Sequence, residues 1–161
     1  MGMGKNVSGT DAAGALWDFA VRLYAEPGVS EACLALQDRF GVDVPLLLWA
    51  AWLGDGADAA ALRAGDRAVG PWRARAIRPL RALRRHLRHT VAGLDREAQE
   101  QWREAAKRLE IDAERLALDI LARTGISRRA HADFGPFATE FGLERGSPEL
   151  VLIETAARRL A

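Results

Sequence analysis

The chain has a single cysteine, Cys33, in 161 residues. No disulfide can form within it, and a reducing compartment is the simpler expectation. No apolar run approaches the ~20 residues a membrane-spanning helix needs; the most apolar stretch, Pro45 to Leu53, is nine residues long. The opening MGMGKNVSGTDAAG carries one lysine and no apolar run before Leu16, so it does not read as a secretory signal. Residues 1–10 are expected to be a disordered leader and the protein cytoplasmic. No segment alternates polar and apolar residues long enough to make a convincing strand, and neither solenoid-period repeats nor low-complexity tracts occur. A Walker loop, a dinucleotide glycine motif, a metal-binding cysteine cluster and a hydrolase elbow are all missing, which removes the usual marks of phosphate, cofactor and acyl-transfer chemistry. Charge is missing too, in the net sense. Against 23 basic residues stand 22 acidic ones, so no global pull toward nucleic acid or a membrane surface follows.

What is present is helical periodicity. Pro45–Leu53 has no polar side-chain group beyond the indole N–H of Trp49 and Trp52. A helix apolar on every side must be enclosed by others, so this segment is expected to be the centre of a helical bundle, with Asp43 as its cap and Pro45 in its first turn. Leu16, Phe19, Ala20 and Leu23 recur at i, i+3, i+4 and i+7, predicting a helix from Asp11 to about Ala25 that ends at Pro27-Gly28. A second helix is expected from Ser30, as cap, to Phe40, closed by a left-handed Gly41. Asp58 starts an alanine-rich helix to about Val69, and Gly70-Pro71 reads as a break. A helix from Trp72 to about Val91 buries Ile77, Leu80, Leu83, Leu87, Val91 and Leu94, with a bend at Pro79. The longest pattern, Asp95 to Thr124, offers Ala98, Trp102, Ala105, Leu109, Asp112, Leu116 and Ile120 as a near-heptad seam for antiparallel packing. After Gly125 a loosely structured segment should be pinned by its phenylalanines, followed by a last helix capped by Ser147 and running to about Leu160. The expected fold is all-α: a compact bundle around a short buried helix, with a long antiparallel helix pair. The helical core spans 11–125, and residues 126–161 pack on it.

The charge distribution is uneven. Residues 63–90 hold nine arginines and one aspartate, whereas residues 1–62 hold three basic and eight acidic side chains. Arg78, Arg81, Arg85 and Arg88 fall on one sector of their helix and Arg84 at the edge of its apolar stripe. Together these five form a candidate anion-binding or partner-binding face, since guanidinium groups grip carboxylates and phosphates in pairs. Pairing with the acidic first third of the chain is the plainer role for them. Nucleic acid is disfavoured because no aromatics interleave with the arginines and the pI is about 8.0. Arg84 is expected to meet Asp112 as a buried ion pair across the two helices.

Three other groupings carry less. Glu110 and Glu114 stand one turn apart, but no Glu-x-x-His companion exists for a metal site, so surface pairing with Arg115 is expected. His86 and His89 lie opposite the apolar stripe and read as a solvent-facing pair, and His131 lies in the loop. Cys33 lies in an apolar stripe without a nearby histidine and reads as a buried structural thiol. No catalytic residue, metal or cofactor is assigned.

The run LWDFAVRLYAEPGVSEACLALQDRFGVDVPLLLWAAWLG, Leu16 to Gly54, with PLRALRR and LEIDAERLAL further on, resembles an uncharacterised proteobacterial family of chains near this length. The resemblance implies a bacterial cytosolic protein and no particular activity. On residues alone, the leading expectation is a non-enzymatic helical interaction or adaptor protein whose arginine face meets an acidic protein partner. A small-molecule binder or enzyme of the all-α prenyl-diphosphate type is the alternative, although the DDxxD motif is missing; weak nucleic-acid binding is a third.

Overall fold

A computed structural model describes residues 9–129 and 131–160. Helix α1 is Gly9–Tyr24, α2 Val29–Phe40, α3 Val44–Leu53, α4 Ala59–Trp72, α5 Arg78–His86, α6 Arg96–Ala122, α7 Gly135–Glu140 and α8 Pro148–Leu160. A single 3-10 turn, Gly54–Gly56, follows α3, and a π turn, Arg73–Ile77, joins α4 to α5. The fold is all-α, with no strand among the described residues. Residues 1–8 of the expected leader lie outside them. Helix α1 begins at Gly9, so the end of that expected leader, residues 9–10, is helical.

Helix α3 is the centre of the bundle. All of its residues except Trp52 are buried, and α1, α2, α4, α6 and α8 pack around it. Each large side chain so enclosed contributes ~1.5–3 kcal/mol, which explains why a segment with no polar face of its own folds as a helix here. Asp43 caps it as expected, accepting from Leu46 N at 2.8 Å. Trp49, fully buried, reaches toward Gly65 of α4; a Cβ at Gly65 would stand 2.4 Å from Trp49 Cζ3 and 3.1 Å from Leu121 Cδ2 of α6. Glycine lets α4 lie against the indole. Gly65→Ala gains up to ~1 kcal/mol of helix propensity but forces a rigid ring to move, and a net loss of ~1–3 kcal/mol is expected. A higher midpoint in urea would contradict this.

Several helix limits differ from the sequence expectations. Helix α2 starts on Gly28, whose left-handed φ of 80° makes the turn, while Ser30 Oγ bonds Glu31 instead of capping. Gly41 closes α2 in the left-handed form as expected. Gly70-Pro71 is no break. The helix runs through Pro71 to Trp72 and on through the π turn, because Leu62, Gly65, Val69 and Ile77 keep a buried face along it. The π turn ends two residues before Pro79, where the missing N–H would otherwise interrupt the ladder. Helix α5 stops at His86, short of Val91, and Leu83 and Leu94 are 40% and 43% exposed. Helix α6 is capped by Asp95 through Ala98 N at 3.0 Å.

The face of α6 is the largest correction. Trp102, Leu109 and Leu116 are 66%, 56% and 48% exposed, and Asp112 is exposed as well. The buried face is Gln99, Ala106, Glu110, Ala113, Ala117 and Leu121. Its alanines let α6 approach α3 and the α4–α5 arm closely, and Trp72 Nε1 donates to Ala113 O at 2.8 Å across that contact. Gln99 amide hydrogens satisfy Leu87 O and His89 O at 2.8 and 2.7 Å, tying the turn before α6 to its first coils.

Beyond Gly125 the chain crosses Gly54 and Gly56 at backbone distance and bonds Leu53 O through Arg129 N at 2.8 Å. Phe134 and Phe137 are buried, Phe141 partly so, with ring centroids 5.9 and 4.6 Å apart along the series. Helix α8 packs mainly on α2. Ser147 Oγ is buried without a partner; it does not cap α8.

Candidate functional site

Helices α1, α2, α3 and α6 leave a cavity of about 500 Å³ between them, with one side chain of α5, Arg84, at its wall. Its lining is mostly apolar: Trp17, Ala20 and Val21 from α1, Leu34 from α2, Val44 and Leu48 from α3, Ile111 and Leu118 from α6. Its size lies in the ~300–1,000 Å³ range of small-molecule sites. Trp17 is held by the Arg115 guanidinium, 4.8 Å from its ring. The polar wall consists of Gln37, Arg84, Glu110 and Glu114, with Lys107 at the edge.

That wall is an ion-pair network. Arg81 Nε donates to Glu110 Oε1 at 2.9 Å and Arg81 Nη2 to Glu114 Oε1 at 3.0 Å. Arg84 Nε donates to Glu110 Oε2 at 2.5 Å, with Nη2 3.4 Å from Oε1. With the Gln37 amide turned as its neighbours require, its oxygen accepts from Arg81 Nη2 and Nη1 at 3.0 and 3.2 Å. Glu110 retains only 7% of its side-chain exposure, and Arg81 and Arg84 keep 16% and 15%. A second network adjoins: Arg73 of the π turn bonds Asp43 and, at 2.7 Å, Asp66.

The structure thus places the sequence-predicted residues in two groups. Arg81 and Arg84 turn inward, on the side of α5 that packs against Glu110 and Glu114 of α6. Arg85 pairs with Asp38 at the surface, and Arg78 and Arg88 are exposed, outside the ion pairs found among the described residues. Arg84 does take a buried carboxylate of α6, but that carboxylate is Glu110. Asp112 sits 200° further round the helix, at ~100° per residue. Nor do Glu110 and Glu114 pair with Arg115. His86, His89 and His131 are exposed. Among the described residues no group of three or more His, Cys, Asp or Glu is placed to hold a metal ion.

The two carboxyl groups have opposite environments. Burial works against charge on Glu110, but hydrogen bonds from Arg84 and Arg81 outweigh it and keep its pKa below the usual carboxylate value. Burial dominates at Glu114; with Glu110 and Asp43 adding repulsion and Arg81 offsetting only part, its pKa is pushed up to about 7. Burial, with Glu114 nearby, also pushes the Cys33 thiol up to about 12, so Cys33 is an inert core thiol. Chemically, the wall offers one group able to take or give a proton near neutrality and no nucleophile beside it.

A stability prediction follows for Glu114. Its folded pKa exceeds the ordinary value of 4.5, so the folded chain holds this proton more tightly than the unfolded one. The contribution is complete below 4.5 and is lost as pH rises toward about 7. Glu110 acts oppositely and only below 4.5, where its lowered pKa makes acid destabilising. Glu114→Gln should therefore flatten the decline of denaturation midpoint between pH 5 and 7, and an unchanged slope would exclude the assignment.

Trp17, Val21, Tyr24, Leu34 and Lys107 belong to the cavity but carry no sequence signal beyond ordinary amphipathic spacing. The one available sign was the Glu110–Glu114 step on the same face as Ala106, Ala113 and Ala117, which marks both carboxylates as inward.

An all-α bundle with an apolar cavity closed by a buried ion-pair network is the class of protein this architecture defines. The chain belongs to the family described as protein of unknown function (DUF2390), whose signature matches residues 15–121. No curated protein and no solved structure matches it. Among the described residues no helix is long and apolar enough to cross a membrane.

Proposed function

We propose that the protein binds a small, largely apolar molecule in the cavity between α1, α2, α3 and α6. The observation that carries this reading is the combination of about 500 Å³ of apolar space with a polar wall whose groups are held by one another and need no ligand to be in place. Such preorganisation lowers the ordering cost of binding. Diphosphate is a poor candidate for the polar end, because Glu110 already neutralises much of the Arg81 and Arg84 charge. Ala25 lines the cavity and is exposed, so Ala25→Trp fills its mouth without crowding the core. The neutral dye N-phenylnaphthylamine should bind the wild type at a single site, about tenfold or more weaker in Ala25→Trp. No uptake by wild type, or equal affinity in a folded variant, overturns the reading.

A second reading, a cytosolic helical interaction protein with an acidic protein partner, is favoured by a different observation: Arg78, Arg85 and Arg88 remain exposed, as does the Trp102, Leu109 and Leu116 stripe. Arg78→Glu/Arg88→Glu should then release a captured acidic protein that raised salt also releases; retention of the same partner by the variant removes this reading.

A further inference from the structure

We infer that the occupant of the cavity carries a protonated amine, seated against the free carboxyl oxygen of Glu114. This rests on the cavity reading above and adds the chemistry of the polar end.

The uneven sharing of donors at the wall leads to it. Arg73, Arg81 and Arg84 face four carboxyl groups, those of Asp43, Asp66, Glu110 and Glu114. Asp66 is 41% exposed and screened by solvent. Within the enclosed part, Glu110 takes both Arg84 and the Nε of Arg81, while Glu114 receives one bond, from Arg81 Nη2. Among the described residues no donor reaches Glu114 Oε2. Two guanidinium groups thus face two carboxyl groups at the wall, but the bonds are shared unevenly, and the acceptor left unfilled, Oε2, belongs to Glu114, which lines the cavity.

The other groups facing Glu114 do not fill that acceptor: Arg84 directs its Nε and Nη2 to Glu110. Tyr24 of α1 and Cys33 of α2 are neutral donors, each with its proton held more tightly than usual. Gln37 is neutral, and its oxygen turns to Arg81. Asp43 and Glu110 repel a further negative charge. Lys107 is exposed at the rim and forms no ion pair among the described residues, so its charge is hydrated. A carboxylate ligand would add a third acidic group beside Glu110 and Glu114. An ammonium group completes the set, donating to Glu114 while its apolar body lies along Trp17, Val21, Leu48 and Leu118.

The test compares decylammonium, decanol and decanoate by calorimetry on the full chain near pH 7. Decylammonium should bind about tenfold or more tightly than either other probe, as expected for a charge-assisted hydrogen bond at a site partly shielded from water. Its binding should release a fraction of a proton from Glu114, seen as a heat that varies with the ionisation enthalpy of the buffer; decanol should release none. Glu114→Gln, checked for folding by its thermal melt, should bring the ammonium and alcohol affinities together. Wild-type binding of all three probes with equal affinity, a preference for decanoate, or ammonium binding without proton release overturns the amine assignment and leaves the cavity reading standing. Binding of none of the three fails the cavity reading itself.

Discussion

Glu110→Ala is expected to cost ~3–5 kcal/mol of folding stability, because it leaves Arg84 without its carboxylate partner and Arg81 with Glu114 alone, both largely buried. Arg81 and Arg84 bring their Nε atoms to the two oxygens of this one carboxylate, at 2.9 and 2.5 Å. Neither can swing fully into water without abandoning its place against α6. At ~2–4 °C of melting temperature per kcal/mol for a chain of this size, the loss is roughly 6–20 °C. Asp112→Ala on the opposite, exposed side of the same helix should stay within ~0.5 kcal/mol of wild type. A thermal melt of both variants side by side checks the assignment, and equal melting temperatures would refute it. The contrast is informative because both positions are acidic and only two residues apart in the chain.

The second large effect is expected at Gly54, where α3 ends. Its φ of 62° and ψ of −133° lie where residues with a Cβ pay ~1–3 kcal/mol in strain. A Cβ there would also stand 2.4 Å from Arg129 O and 2.8 Å from His131 O. Those atoms are backbone, so no side-chain rotation relieves the contact. Gly54→Ala should cost ~2–5 kcal/mol, strain and overpacking together. The same substitution should break the bond from Arg129 N to Leu53 O at 2.8 Å, which holds the post-Gly125 segment over the end of the central helix. Amide hydrogen exchange at Arg129 and the denaturation midpoint should both change; a variant with native protection at Arg129 would show that the close approach relaxes cheaply.

These two sites also show where sequence reasoning succeeded and where it stopped. The Pro45–Leu53 run dictates its own burial, since no face of such a helix tolerates water, and Asp43, Gly41, Asp58 and Asp95 mark helix ends through chemistry confined to a few neighbouring residues. Cys33 is an equally local inference. Helix α6 misleads because two stripes compete on it. The bulkier one, Trp102, Leu109 and Leu116, has the better apolar pattern, but the structure buries the one built from alanines, Glu110 and Gln99. Hydrophobicity ranks residues one at a time, whereas burial on a helix that must approach Trp49 and Trp72 closely depends on which side is thin enough.

The amino-acid order alone determined that this protein is helical, which segment lies at its centre, and that a block of arginine follows an acidic first third. Only the tertiary structure decided which arginines point inward, that Glu110 is their partner, and that Glu114 is left facing an apolar cavity. The reason is range. Periodicity and capping act over one or two turns of chain, while pairing Arg81 and Arg84 with Glu110, some 26 to 29 residues away, depends on how two helices rotate about their axes as they pack.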